Sequence, residues 1–137
     1  MTNQVFSSAY FEQARSIYQE VLSHNRAKEW HLVVRRSQET VELLLKGLLR
    51  LAGLEVPRIH DVGNVFEREK QKLPKNIVKE LDRIISISRR LRLERETSFY
   101  GDEDLELPPS SLYTQIDAQQ AQQDLEWLMQ FIPQREK

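Results

Sequence analysis

The sequence predicts an all-α domain, and three observations carry that expectation. Apolar residues recur at three-and-four spacing almost throughout, strand-like alternation is absent, and glycine is scarce, with four in 137 residues. Joined by mostly short connections, the predicted elements make an antiparallel up-down four-helix bundle with one additional short helix, a single domain over residues 1–137.

Each element has its own warrant. A first helix is expected from about Ser8 to Leu22, burying Phe11, Ala14, Tyr18 and Val21 or Leu22, with Ser7 or Ser8 as its N-cap. The second runs from about Lys28 to Leu51 on a core face of Trp30, Val33, Val34, Val41, Leu44, Leu45 and Leu48. Gly53 closes it as a C-terminal cap and Pro57 prevents its resumption. A short third helix starts near Asp61, whose carboxylate can cap the free amides, and buries Val62, Val65 and Phe66. Pro74 opens the fourth, because proline suits the first turn and not the interior. Its apolar side holds Ile77, Leu81, Ile84, Ile85, Ser88 and Leu91. From Phe99 to Ser111, Gly101 and Pro108-Pro109 forbid a continuous helix. The last helix begins near Thr114 or Asp117, buries Ala118, Ala121, Leu125, Leu128, Met129 and Ile132, and stops at Pro133.

Composition narrows the function classes. There is no cysteine, which removes disulfides and thiolate metal sites and suits a reducing compartment. A net charge of -1 gives no global attraction to nucleic acid, so any such binding needs a local patch. The N-terminus has no basic stretch followed by an apolar core, and no apolar run nears the roughly 18 residues of a membrane span, so the expectation is a soluble, cytoplasmic protein. The histidines are His24, His31 and His60, with no close pair, and the glycines are scattered. Zinc sites and phosphate loops of the known spacings are therefore not expected, and no metal or cofactor is assigned.

Charge organisation points to one place. From Lys75 to Arg95 there are seven basic and three acidic residues, whereas Glu96 to Pro108 carries five acids and no base. With Leu81 as origin, at about 100° per residue, Ile84 falls near -60°, Ser88 near -20°, Arg92 near +20° and Arg95 near -40°. The apolar stripe thus ends in two arginines on the face expected to be buried, where a guanidinium must find acids, carbonyls or a phosphate. Two readings stand at this point: an internal ion pair with Glu96, Asp102 or an acid of the second helix, or a phosphate site. On the second helix, Glu42 and Lys46 stand four apart and read as an ordinary ion pair. Asp61 reads as a helix cap. His60 reads as a loop histidine, or as a candidate ligand-binding group if a second polar cluster lies beside it.

The run Ser37-Gln38-Glu39-Thr40-Val41-Glu42-Leu43-Leu44-Leu45-Lys46-Gly47-Leu48-Leu49 resembles the signature second helix of the HEPN superfamily. Pro57-Arg58-Ile59-His60-Asp61-Val62 resembles the turn that follows it there. Arg95-Glu96-Thr97-Ser98-Phe99-Tyr100-Gly101-Asp102 resembles the segment after its fourth long helix, and the closing helix with Ala118 and Ala121 is similar to its C-terminal element. Many members are metal-independent endoribonucleases. They dimerise so that an arginine, followed a few residues later by a histidine, meets its counterpart from the other subunit. By this resemblance Arg95 takes the arginine's place, while Tyr100 stands where the histidine would be. Imidazole exchanges protons near neutrality, whereas a phenol with a pKa near about 10 ordinarily does not.

Single-domain prokaryotic members commonly pair with a minimal nucleotidyltransferase as toxin and antitoxin, in one branch through a modified tyrosine whose position is Asp102 here. The resemblance therefore implies a homodimer with a nucleotidyltransferase partner and RNA or nucleotide bound around Arg92, Arg95, Tyr100, Asp102 and His60. Arg95 and Tyr100 are the catalytic candidates if the chain cleaves RNA. The alternatives are a non-catalytic nucleotide-binding or scaffold subunit of a nucleotidyltransferase complex, or a purely structural dimer.

Overall fold

The computed structural model describes residues 2–56 and 62–134. These form six α-helices: α1 (Thr2–Arg26), α2 (Trp30–Leu51), α3 (Val62–Arg68), α4 (Lys75–Val78), α5 (Leu81–Tyr100) and α6 (Gln115–Met129). Short 3-10 turns occupy Lys70–Lys72 and Pro109–Ser111. Among the described residues there is no strand, only an isolated antiparallel bridge between Asp102 and Leu107.

α2 is the central element, packing against α1, α5 and α6. Its direction is fixed at two levels against α1, where Arg50 Nη1 donates to Asn3 Oδ1 at 3.0 Å and Arg36 meets Glu20 at 4.0 Å. Across the molecule, Asn25 donates to Gln122 at 3.0 Å and Arg15 to the Pro133 carbonyl at 3.2 Å, so α6 runs opposite to α1 and alongside α2. The core joins Leu44, Leu45, Leu48, Leu81, Ile84, Leu125 and Leu128, all buried. Each such leucine contributes about 1.5–3 kcal/mol relative to leaving it in water.

The end of α2 follows from Gly53. At φ +79° it lets the Leu54 N–H reach the Leu49 carbonyl (2.9 Å) while its own N–H reaches that of Arg50 (3.0 Å), closing a Schellman motif with Leu54 buried beneath it. Thr114 starts α6 through a reciprocal capping box with Asp117.

Several boundaries differ from expectation. α1 begins at Thr2, so Ser7 and Ser8 lie inside it and cap nothing; the Ser7 hydroxyl instead donates back to the Gln4 carbonyl at 2.9 Å. α2 starts at Trp30, because Lys28 takes φ +60° and ends the preceding segment. The expected fourth helix is divided. Pro74 opens the short α4, the chain bends at Lys79–Glu80, where Glu80 holds φ -109° and ψ 19°, and α5 begins at Leu81. α5 then continues through Phe99 and Tyr100 until Gly101. α6 ends at Met129, ahead of the expected stop at Pro133. Asp61, expected to cap the third helix, lies outside the described residues, as does His60.

Candidate functional site

α2 and α5 leave a groove between them whose floor is Val41, Ser88 and Leu91 and which Val62 closes from α3. Gln38 and Glu42 form its α2 wall, and Arg92 and Arg95 its α5 wall. Glu42 is already engaged: Lys46 stands 3.6 Å away and the Gln38 amide donates to it at 3.3 Å, as the four-residue spacing implied. Glu39 is likewise held by Arg35 at 2.9 Å and Arg36 at 3.0 Å. Glu42 in the α2 wall and its neighbour Glu39 are thereby both paired with cations.

Arg92 and Arg95 are both exposed, against the expectation of a buried face. The reason lies in the drift of the stripe. In the first half of α5 the buried residues spread from about +40° at Ile85 to about -120° at Ile87, around the origin Leu81, whereas in the second half only Leu91 and the fully buried Ser98 are buried, at about -80° and -100°. In its second half α5 therefore turns the arginines onto the groove's rim. Among the described residues no carboxylate lies within ion-pair distance of the Arg95 guanidinium, so of the two readings the ion pair with Glu96, Asp102 or an acid of α2 is not formed by Arg95 there.

Tyr100 is displaced from this pair. Five residues of helix rotate it about 140° from Arg95, and it opens instead with Asp102 onto an acidic hollow that includes Glu96, Glu103 and Asp104. Asp102 is used locally: its carboxylate accepts from the Leu105 N–H at 3.2 Å, and its backbone pairs with Leu107. A single chain thus brings Arg92 and Arg95 together, and sets Tyr100 and Asp102 together elsewhere.

Two residues given no role by the sequence stand next to Arg95, outside the groove's lining. Arg35 of α2 donates to the Arg95 carbonyl and lies over the Phe99 ring, 5.1 Å from its centroid. Phe99, at about 0° on the same wheel, lies between Arg92 and Arg95 and one turn beyond the latter. Both contacts join residues about sixty positions apart, so no local pattern announces them.

A second hollow of about 270 Å³ lies between α5 and α6, but its polar groups are committed. Glu94 accepts from the Tyr113 hydroxyl, Asp117 serves the Thr114 cap, and buried Asp124 takes Gln120 at 3.1 Å and Arg90 at 3.1 Å. Burial first, and then the Glu94 carboxylate, push the Tyr113 hydroxyl well above its usual pKa and keep it protonated. Among the described residues, no group of three His, Asp or Glu side chains is arranged to hold a metal ion. Nor is any described helix long and apolar enough to cross a membrane.

The helical architecture and the sequence agree on a class of protein: residues 7–135 match the family model for the HEPN domain. The chain belongs to the HEPN family. No curated protein and no solved structure matched it.

Proposed function

We propose that this HEPN protein binds the phosphates of RNA or a nucleotide in the α2–α5 groove, with Arg95 as the principal contact and Arg92 beside it. The observation that carries the reading is the Arg95 guanidinium itself, exposed on the rim of a groove whose lining acid, Glu42, is paired with Lys46. A guanidinium so placed makes a bidentate, charge-assisted contact with phosphate at little desolvation cost. In this reading the four long helices form an up-down antiparallel bundle. The chain works in the cytoplasm as a homodimer beside a minimal nucleotidyltransferase, as the toxin-type or nucleotide-binding member of the pair.

Binding is favoured over cleavage by one geometric fact. Tyr100 stands about 140° around the helix from Arg95, in acidic surroundings where a phosphate is repelled. Within one chain the two do not face a common phosphodiester. RNA cleavage would need Arg95 and Tyr100 from different copies to converge, with Tyr100, His60 or Asp102 serving as the acid–base group.

The test is equilibrium binding of a labelled RNA and of a nucleoside triphosphate, combined with a cleavage assay in EDTA. Arg95→Ala weakens binding at least tenfold with the helical content unchanged. Arg68→Ala on α3, whose side chain pairs with Glu69 at 3.6 Å, binds like wild type. Cleavage in EDTA that is lost in Tyr100→Phe would establish the catalytic reading instead. Normal binding by Arg95→Ala would remove the groove as the site.

A further inference from the structure

Resting on the phosphate reading of the groove, we infer that Phe99 is a stacking platform for one unpaired base, so that the site selects single-stranded over duplex nucleic acid. The inference begins with the order of side chains along α5. Arg92, Arg95 and Phe99 fall within about 60° of one another and climb the helix at intervals of three and four residues, giving a row of two cations and then a flat ring. A phosphodiester strand following the arginines delivers a base to the ring, since every base has a π-face that stacks without regard to sequence.

Phe99 is held rather than loose. Arg35 lies over the ring at 5.1 Å and is itself fixed by the Arg95 carbonyl and by Glu39 at 2.9 Å. Tyr100 meets the ring edge-on, with centroids 5.0 Å apart and planes at 70°. Even with both neighbours in place, Phe99 remains 52% exposed, so the ring is braced and still has surface to offer. An exposed phenylalanine at the end of a helix gains nothing for the core, and the brace adds order to a side chain that packing does not need.

Beyond the ring the charge reverses. Asp102, Glu103 and Asp104 line the hollow that Tyr100 opens onto and repel a continuing phosphate backbone, whereas Glu96 stands beside the arginines themselves. The strand therefore leaves the groove at Phe99. A duplex cannot follow the same path, because its bases are already stacked and paired, and unstacking one costs a few kcal/mol. Arg35 is a positioning residue in this scheme: it sets the ring and does not touch the strand. RNA and DNA single strands share the phosphate and base chemistry invoked, and the assay separates them.

The experiment is fluorescence anisotropy with labelled ten-nucleotide adenine and uracil RNA strands, the corresponding adenine and thymine DNA strands, and a blunt RNA duplex of equal length, titrated at several salt concentrations. Wild type binds the single strands at least tenfold more tightly than the duplex, and the adenine strand, with its larger base, more tightly than the pyrimidine strand. Phe99→Ala loses fivefold or more on single strands with an unchanged salt slope, because a ring carries no charge, and Phe99→Trp restores binding. A ten-fold or greater preference for the RNA strands over their DNA counterparts identifies the natural source as RNA. Wild-type affinity in Phe99→Ala, or a duplex bound as tightly as a single strand, overturns the platform; if Arg95→Ala still loses ligand, the phosphate groove survives it. If wild type binds no strand at all, groove and platform fall together.

Discussion

Gly101 holds φ +78° and ψ -160°, a conformation open essentially to glycine alone, and a β-carbon there would stand 2.2 Å from the Leu107 carbonyl oxygen. The residue stops α5 and sends the chain into the Asp102–Leu107 bridge, so it sets where the acidic loop lies relative to the arginines. Gly101→Ala is expected to cost about 2 kcal/mol or more and to raise the unfolding sensitivity of the whole domain to urea. A wild-type unfolding midpoint in that variant would show the turn to be pliable.

Tyr18 offers a pH test at the same scale. Partial burial, and then its bond to the Glu126 carboxylate, push its hydroxyl up from an ordinary 10.0 to about 12. A folded-state pKa raised above the unfolded one contributes stability that is complete below pH 10 and is lost as pH climbs through 12. The thermal midpoint should therefore fall between pH 10 and 12, and Tyr18→Phe should make that fall shallower. An identical decline in the variant would mean that other groups carry it.

At the scale of the elements, α1 and α2 approach closely because position 47 has no side chain. A β-carbon at Gly47 would sit 2.6 Å from Phe11 Cε1, so the buried Phe11 ring would have to shift. Gly47→Ala is expected to destabilise by about 1–3 kcal/mol through overpacking, despite alanine's better helix propensity. Leu45→Ala and Leu81→Ala leave cavities instead, and each is expected to cost about 2–5 kcal/mol in denaturant unfolding. Unchanged midpoints in both would mean that the helix faces are wrongly assigned.

The helices were legible because burial repeats at the helical period, so Leu44, Leu45, Leu48, Leu125 and Leu128 declare their face by spacing alone. Gly53 and Thr114 were legible because cap chemistry is local. The rotation of α5 was not. A wheel with one fixed origin assumes a constant stripe, whereas the neighbours of α5 change along its length and its buried face turns with them. Arg92 and Arg95 could thus be picked out by charge but not placed on the rim. The brace by Arg35 was illegible for another reason: it is a long-range bond from a guanidinium to a backbone carbonyl, which leaves no mark in side-chain pattern.

For the molecule as a whole, exposed apolar surface gathers where the charge changes sign. Leu93, Tyr100, Leu105 and Leu107 are all exposed within one stretch of chain, and Leu93 and Tyr100 share a face of α5 turned about 100° from the row of Arg92, Arg95 and Phe99. A patch of this kind on a small domain suits an interface between two copies that leaves the arginine row open. Light scattering is expected to give about twice the 16.3 kDa chain mass. Leu93→Glu should return the single-chain mass; a wild-type monomer at high micromolar concentration would remove the interface.

The phosphate groove is tested most directly by the salt dependence of single-stranded RNA binding in wild type and in Arg95→Ala. Each phosphate neutralised on a single strand contributes about 0.7 to the slope of log affinity against log salt. Arg95→Ala is expected to bind at least tenfold more weakly, with a slope shallower by about that amount and with unaltered helical content. The same slope and the same affinity in both proteins would contradict the assignment of Arg95 to phosphate.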